Sequence, residues 1–243
     1  MQAVTIAGFV VICLAGSTIQ SVCGFGFGVL VMMLLPWLLH STLSSVVIAS
    51  FLGMSTSLIA AARYRRFISW RKVLLPLIGY LAISTLSVRL SAAIDEQVIR
   101  RLLGGALLVM SGYFLFFSGR VRIRPNPGSA LLLGGLAGFM SAMFSMSGPP
   151  LSVYCLSASG SNEEYLSMMQ TLTVLGTLYI NAVRMASGMF GRQEILLCAI
   201  GVVAVYLGTL IGKRIFSRLD ANALRRAIYL LMAVSGLILL FES

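Results

Sequence analysis

Apolar runs about as long as a bilayer is thick restrict this chain more than any other feature. They lie at 42–62, 73–88, 98–117, 164–183, 195–211 and 223–240, and roughly 20 apolar residues in helical form cross a hydrocarbon core. With 58% of positions hydrophobic and 10% charged, neither a soluble enzyme surface nor a disordered chain fits. The expectation is an all-α integral membrane protein, because lipid cannot bond backbone N–H and C=O groups and a helix satisfies them within one segment. The stretch that begins at Met1 has no basic region before it, so it is expected to be kept rather than cleaved as a signal peptide.

The formal charge of +11 does not point to nucleic acid. Its carriers sit between apolar runs, in Arg63-Tyr64-Arg65-Arg66, Arg71-Lys72, Arg120-Val121-Arg122-Ile123-Arg124 and Lys213-Arg214, as in cytoplasmic membrane loops. Cys13, Cys23, Cys155 and Cys198 form no CxxC pair and read as small packing residues, with neither a disulfide framework nor a metal site. No cofactor is expected.

Two further apolar regions are broken near their centres by small residues. Region 3–39 is interrupted at Ser21-Val22-Cys23-Gly24-Phe25-Gly26-Phe27-Gly28, and region 130–159 at Ser145-Met146-Ser147-Gly148-Pro149-Pro150. Neither half of either region reads as a comfortable full span. An offset of about 121 residues sets Gly26-Phe27-Gly28-Val29-Leu30 on Ser147-Gly148-Pro149-Pro150-Leu151 and Arg63 on Arg184, and a slightly larger one sets Asp95 to Arg101 on Asp220 to Arg226. The matches keep one order along the chain, which indicates an internal duplication. Its halves are expected at 1–119 and 129–243, joined by the polar linker 120–128.

Loop charge chooses between parallel and inverted halves. If each broken region crosses once, the 18 Lys and Arg divide 10 against 8 between the two sides. If each instead dips in and returns, every half has three crossings, the halves are inverted, and 13 of the 18 fall on one side. The second division obeys the positive-inside rule. The predicted architecture is therefore two inverted-topology repeats, each a re-entrant helical hairpin plus three transmembrane helices, with both termini outside.

Interrupted backbone at membrane depth survives only against protein or a water-filled cavity, so two matching interruptions predict one shared cavity. Pro149 and Pro150 suit the first turn of a helix, and Gly24, Gly26 and Gly28 permit tight turns and close approach. Free amides and the positive ends of two helices would then face that cavity and bind an anion without a buried cation, since no Lys or Arg lies within an apolar core. The candidate binding residues are Gln20, Ser21, Gly24, Phe25, Gly26 and Gly28 at the first break, Ser145, Ser147, Gly148 and Pro149 at the second, and Gln170, Thr171 and Asn181 on the following span. Thr173 shares a helix face with Gln170 and Asn181. For these polar groups, and for Ser50, bonding between helices is the competing role.

The pairing of Gly24-Phe25-Gly26-Phe27-Gly28 with Ser147-Gly148-Pro149-Pro150 in two apolar halves resembles the sulfite exporter TauE/SafE family. That resemblance spans essentially the whole chain. It implies a multi-pass carrier of the bacterial inner membrane that exports sulfite, sulfoacetate or a related sulfonate, with the glycine-rich breaks in its transport site. The implied partners are a small anion and the lipid bilayer, not nucleic acid, and a second copy of the chain is a candidate partner.

An anion channel is the alternative within transport, and inverted repeats favour alternating access over an open pore. An intramembrane serine hydrolase would need a base beside Ser145 or Ser147. The single histidine, His40, is expected at the outer end of the first hairpin, and no HExxH or Walker-type loop occurs, so no enzyme is expected. The acids lie outside the apolar cores, which leaves no carboxylate for a proton relay.

Overall fold

The computed structural model describes residues 3–23, 26–116, 123–215 and 221–241, without the side chains of 3–4, 22–23, 92, 213, 215 and 221–228. Helices are the only regular elements among the described residues. In chain order they are α1 (Ala3–Cys23), α2 (Phe27–Leu39), α3 (Thr42–Tyr64), α4 (Trp70–Ala93), α5 (Glu96–Phe116), α6 (Pro127–Phe144), α7 (Gly148–Ala158), α8 (Asn162–Ala186), α9 (Arg192–Ile215) and α10 (Ala221–Phe241). A 3-10 turn at Arg65–Phe67 separates α3 from α4. Among the described residues six stretches are long and apolar enough to cross a membrane: Thr42–Phe67, Trp70–Ser91, Glu96–Phe116, Pro127–Phe144, Asn162–Ala186 and Arg192–Gly212. Large apolar side chains such as Leu86, Val109, Leu132 and Val203 face outward, as expected where the surrounding solvent is lipid.

Capping chemistry places the helix starts. Ser41 Oγ accepts the Ser44 amide at 3.3 Å and Ser161 Oγ accepts the Glu164 amide at 3.1 Å. Asn126 and Ser129 form a reciprocal box around Pro127, which satisfies amides that the first turn of α6 would otherwise expose. Pro76 lies inside α4 and has no N–H for the carbonyl four residues back. That carbonyl, Lys72 O, accepts the Tyr154 hydroxyl of α7 at 3.1 Å instead.

Both broken regions are helical hairpins of unequal arms. In the first, α2 runs back along α1: Gly8 lies against Leu38, and Gly16 against Phe27 and Val31. In the second, the Ile123 amide ahead of α6 donates to Ser157 Oγ near the end of α7 at 3.2 Å, so α7 returns to the end from which α6 set out. The expectation that neither arm spans is corrected for α6, whose 18 residues Pro127–Phe144 are long and apolar enough to cross, because its capped start at Pro127 lies ahead of the apolar region itself. α1 has 21 residues, of which Thr5–Ser21 form a shorter apolar stretch, and α2 and α7 have 13 and 11.

Packing between the long helices is close. α4 lies along α6, α1 along α9, α5 along α10, and α3 crosses α8. Glycine makes the first of these possible: a Cβ on Gly134 would meet the Pro76 carbonyl and one on Gly138 the Tyr80 carbonyl. The α1–α9 seam uses Gly208 and Gly212 against Ser17 and Ser21, with Thr18 Oγ1 donating to Gly208 O at 3.0 Å. Small residues let membrane helices approach until dispersion and short hydrogen bonds hold them.

Polar contacts sort the helix ends into two sets. At one end the Thr42 amide bonds Glu96 and Ser44 Oγ donates to Glu194 Oε1 at 2.7 Å, which gathers the starts of α3, α5 and α9. At the other, Lys72 and Glu164 form an ion pair at 2.7 Å, which joins the starts of α4 and α8. The buried cysteines Cys13, Cys155 and Cys198 are free thiols, in keeping with a packing role.

Candidate functional site

The two breaks meet. α2 starts from Gly26, whose φ of 115° is left-handed, a conformation glycine adopts without the cost a Cβ would bring. α6 ends on Ser145, also left-handed at φ 56°, and the Met146 amide reaches back to Met140 O at 3.2 Å. Ser145 Oγ donates to Val46 O of α3 at 2.8 Å, which anchors the turn. A Cβ on Gly28 would run into the Ser145 carbonyl, so the first turn of one hairpin's short arm lies against the last turn of the other's long arm.

Around this junction is a cavity of about 50 Å³. One water requires about 10–15 Å³ on this measure, so there is room for a few waters or one small oxyanion. Gly26, Gly28 and Val29 line it from the first hairpin, and Ser145, Met146, Ser147, Gly148 and Pro149 from the second. Ala49, Ser50, Gly53, Met54 and Ser57 of α3 close one wall, Met169, Gln170, Thr173 and Thr177 of α8 another, and Gln20 and Ser141 complete the lining. No His, Asp, Glu, Lys or Arg is among these residues. The lining supplies hydroxyls, amides, backbone and the thioethers of Met54, Met146 and Met169, but no ionisable acid or base among these residues.

Backbone donors differ between the two breaks. The first-turn amides of α2 lack an intrahelical partner. Gln20 Oε1 accepts that of Phe27 at 3.2 Å while its Nε2 donates to Ser57 Oγ at 3.1 Å, so one side chain fixes the break against α3. In α7 the prolines at 149 and 150 carry no N–H, which leaves the Gly148 amide as the donor of its first turn.

Of the residues singled out from sequence, Gln20, Gly26, Gly28, Ser145, Ser147, Gly148, Pro149 and Gln170 share this cavity, and Thr173 and Ser50 join them. Ser21 does not: its hydroxyl donates to Thr18 O at 2.7 Å and lies against Gly212 of α9. Asn181 is buried just outside the lining and bonds two residues that belong to it, its Oδ1 accepting from Ser50 at 2.8 Å and its Nδ2 donating to Met54 Sδ at 3.9 Å. Thr171 is buried outside the lining, turned from it because its neighbour Gln170 takes the cavity side of α8. Gly24 and Phe25 lie outside the described residues. His40, in the left-handed turn after α2, is exposed and lines no cavity with the serines.

One expectation is overturned. A cation does lie in the interior: Arg184, in the last turn of α8, is fully buried. Its Nη2 donates to Ala142 O at 2.6 Å and its Nη1 to Val46 O at 3.5 Å. In the sequence Arg184 follows the run 164–183 and reads as a loop residue. The free carbonyls at the end of α6 draw it inward, since a broken helix presents its negative end inside the protein.

Comparison with known proteins adds to this geometry. The family model described as Sulfite exporter TauE/SafE matches residues 8–239. A curated relative from Cupriavidus necator, described as a probable sulfite/organosulfonate exporter TauE, is 26% identical over 208 residues, covering 82% of this chain and 80% of its own. No solved structure matches.

Proposed function

Because the chain belongs to the sulfite exporter TauE/SafE family, whose members are transporters, we propose that it carries a small sulfur oxyanion or organosulfonate outward across a bacterial inner membrane by alternating access. The anion sits between the two breaks. The Gly28, Val29 and Gly148 amides face its oxygens, with Ser147, Thr173, Thr177 and the Gln170 amide around them, the Phe27 amide being held by Gln20. The observation that carries the reading is the meeting of Gly28 with Ser145 in one uncharged, hydroxyl-lined cavity. Hydrogen-bond donors and positive helix ends suit an oxyanion there, and the small volume suits a compact headgroup.

In this proposal the halves 1–119 and 129–243 are inverted repeats joined by 120–128. Support comes from the pairing of helices: α1 with α9 matches α6 with α4, the two hairpins match each other, and α3–α8 and α5–α10 each pair an element with its own counterpart. Such symmetry supplies two equivalent arrangements of one scaffold, which alternating access requires. The hairpin arms α2 and α7 are re-entrant, and the linker faces the cytoplasm.

Purified protein is expected to gain thermal stability with sulfite or sulfoacetate and not with zwitterionic taurine, because only a net anion gains from the helix ends. In proteoliposomes, outward anion flux is expected to rise with an inside-negative potential, which favours each exported charge by about 2.3 kcal/mol per 100 mV. Flux indifferent to voltage would contradict uncompensated anion movement, and equal stabilisation by taurine would remove the anion site.

A further inference from the structure

Arg184 and Tyr80 form a polar group behind the cavity that the transport reading does not use. Arg184 is fully buried, and among the described residues the ion pair is Lys72–Glu164, so no carboxylate balances the guanidinium. Two carbonyls accept from it while its Nε has no partner. A buried charge without a counter-ion is costly in a membrane protein and marks a site where an opposite charge arrives.

Tyr80 of α4 lies near that charge and near residues that line the cavity. It is fully buried, with its ring against Gly176 of α8, where a Cβ would strike it. The neighbours of its hydroxyl are those of Ser141, Thr177 and Ser147, with the Arg184 charge beyond, and none of them meets Tyr80 Oη in hydrogen-bond geometry. Those three residues line the cavity. A buried hydroxyl left unpaired costs stability, and here it is directed at three rotatable hydroxyls that an oxyanion would reorient.

We infer that Arg184 is the fixed positive charge that balances the bound anion, acting through Tyr80 Oη and the hydroxyls of Ser141, Ser147 and Thr177. This rests on the proposed anion transport. Tyr80 and Arg184 are positioning residues: on loading, the three hydroxyls turn their protons to the anion, Tyr80 donates to an oxygen so freed, and the guanidinium polarises the chain. The competing account makes Arg184 only a cap on the last turn of α6 and Tyr80 only filler beside Gly176.

Tyr80→Phe separates the two, because it removes one oxygen that has no hydrogen-bond partner and keeps the ring. Its melting temperature without ligand is expected to match or exceed that of the unaltered protein, while sulfite affinity, measured by titration calorimetry, falls about tenfold. Arg184→Gln is expected to weaken sulfite binding further and to abolish the preference for the dianion over the monoanion, read by titrating on either side of the second ionisation of sulfite. Arg184→Lys restores that preference. Unaltered protein that binds sulfite, with Tyr80→Phe binding it equally well, overturns this inference and leaves the transport reading standing. Unaltered protein that binds no anion overturns both. If Arg184→Gln fails to fold, Tyr80→Phe decides alone.

Discussion

At the scale of single residues, the junction depends on the absence of one carbon atom. Gly28→Ala would drive a Cβ into the Ser145 carbonyl, and neither backbone can yield without moving its hairpin. A cost of about 1–3 kcal/mol is expected from such overpacking, seen as a lower melting temperature together with loss of sulfite binding. Gly105→Ala on α5 meets nothing within 4 Å and is the control, expected to leave both unchanged. Gly26, Gly28, Ser147 and Gly148 could be read from the sequence, because a cluster of small residues inside an apolar run interrupts it by composition alone. Arg184 and Tyr80 could not. The first directly follows an apolar run and the second lies within one, and only the fold brings an exposed helix end or a set of hydroxyls to them.

Among elements, the close seams decide which helices act together. Gly134 and Gly138 set α6 against the Pro76 and Tyr80 carbonyls of α4, so Gly138→Leu is expected to push the two helices apart. Detergent-solubilised protein should then melt at clearly lower temperature, by a loss of about 1–3 kcal/mol or more, whereas Gly112→Leu on α5, with open space around it, should not. An unchanged melting temperature for Gly138→Leu would mean that the seam adapts. That the broken regions contain helices was legible from their composition. The inequality of their arms was not, because hydropathy averages over a window and does not register the residue at which a helix starts or stops. The partners α1–α9 and α4–α6 were equally hidden, since glycines on a lipid-facing side and glycines in a seam look alike in sequence.

For the whole molecule, the two groups of helix ends translate into sidedness. Arg66, Arg124 and Ser161 lie toward the end marked by the Lys72–Glu164 pair, and His40 and Glu194 toward that marked by Ser44–Glu194. Cysteines placed singly at the first three positions of a cysteine-free variant are expected to react with an impermeant maleimide only after the inner face is opened. At 40 and 194 they should react in intact cells. Labelling of Ser161→Cys from outside would break the proposed inversion. The charge count over the loops predicts the same sidedness, because Lys and Arg are held on one side whatever the helices between them do.

The pairing of α1 with α9 also bears on biosynthesis. α1 is made well before its companion, since the helix along which it packs starts at Arg192, whereas α6 emerges when its companion α4 is already present. The α1–α2 hairpin therefore waits in the bilayer with its Ser17 and Ser21 edge unclasped until α9 has been made, so the vulnerable interval for quality control falls before α9 leaves the ribosome.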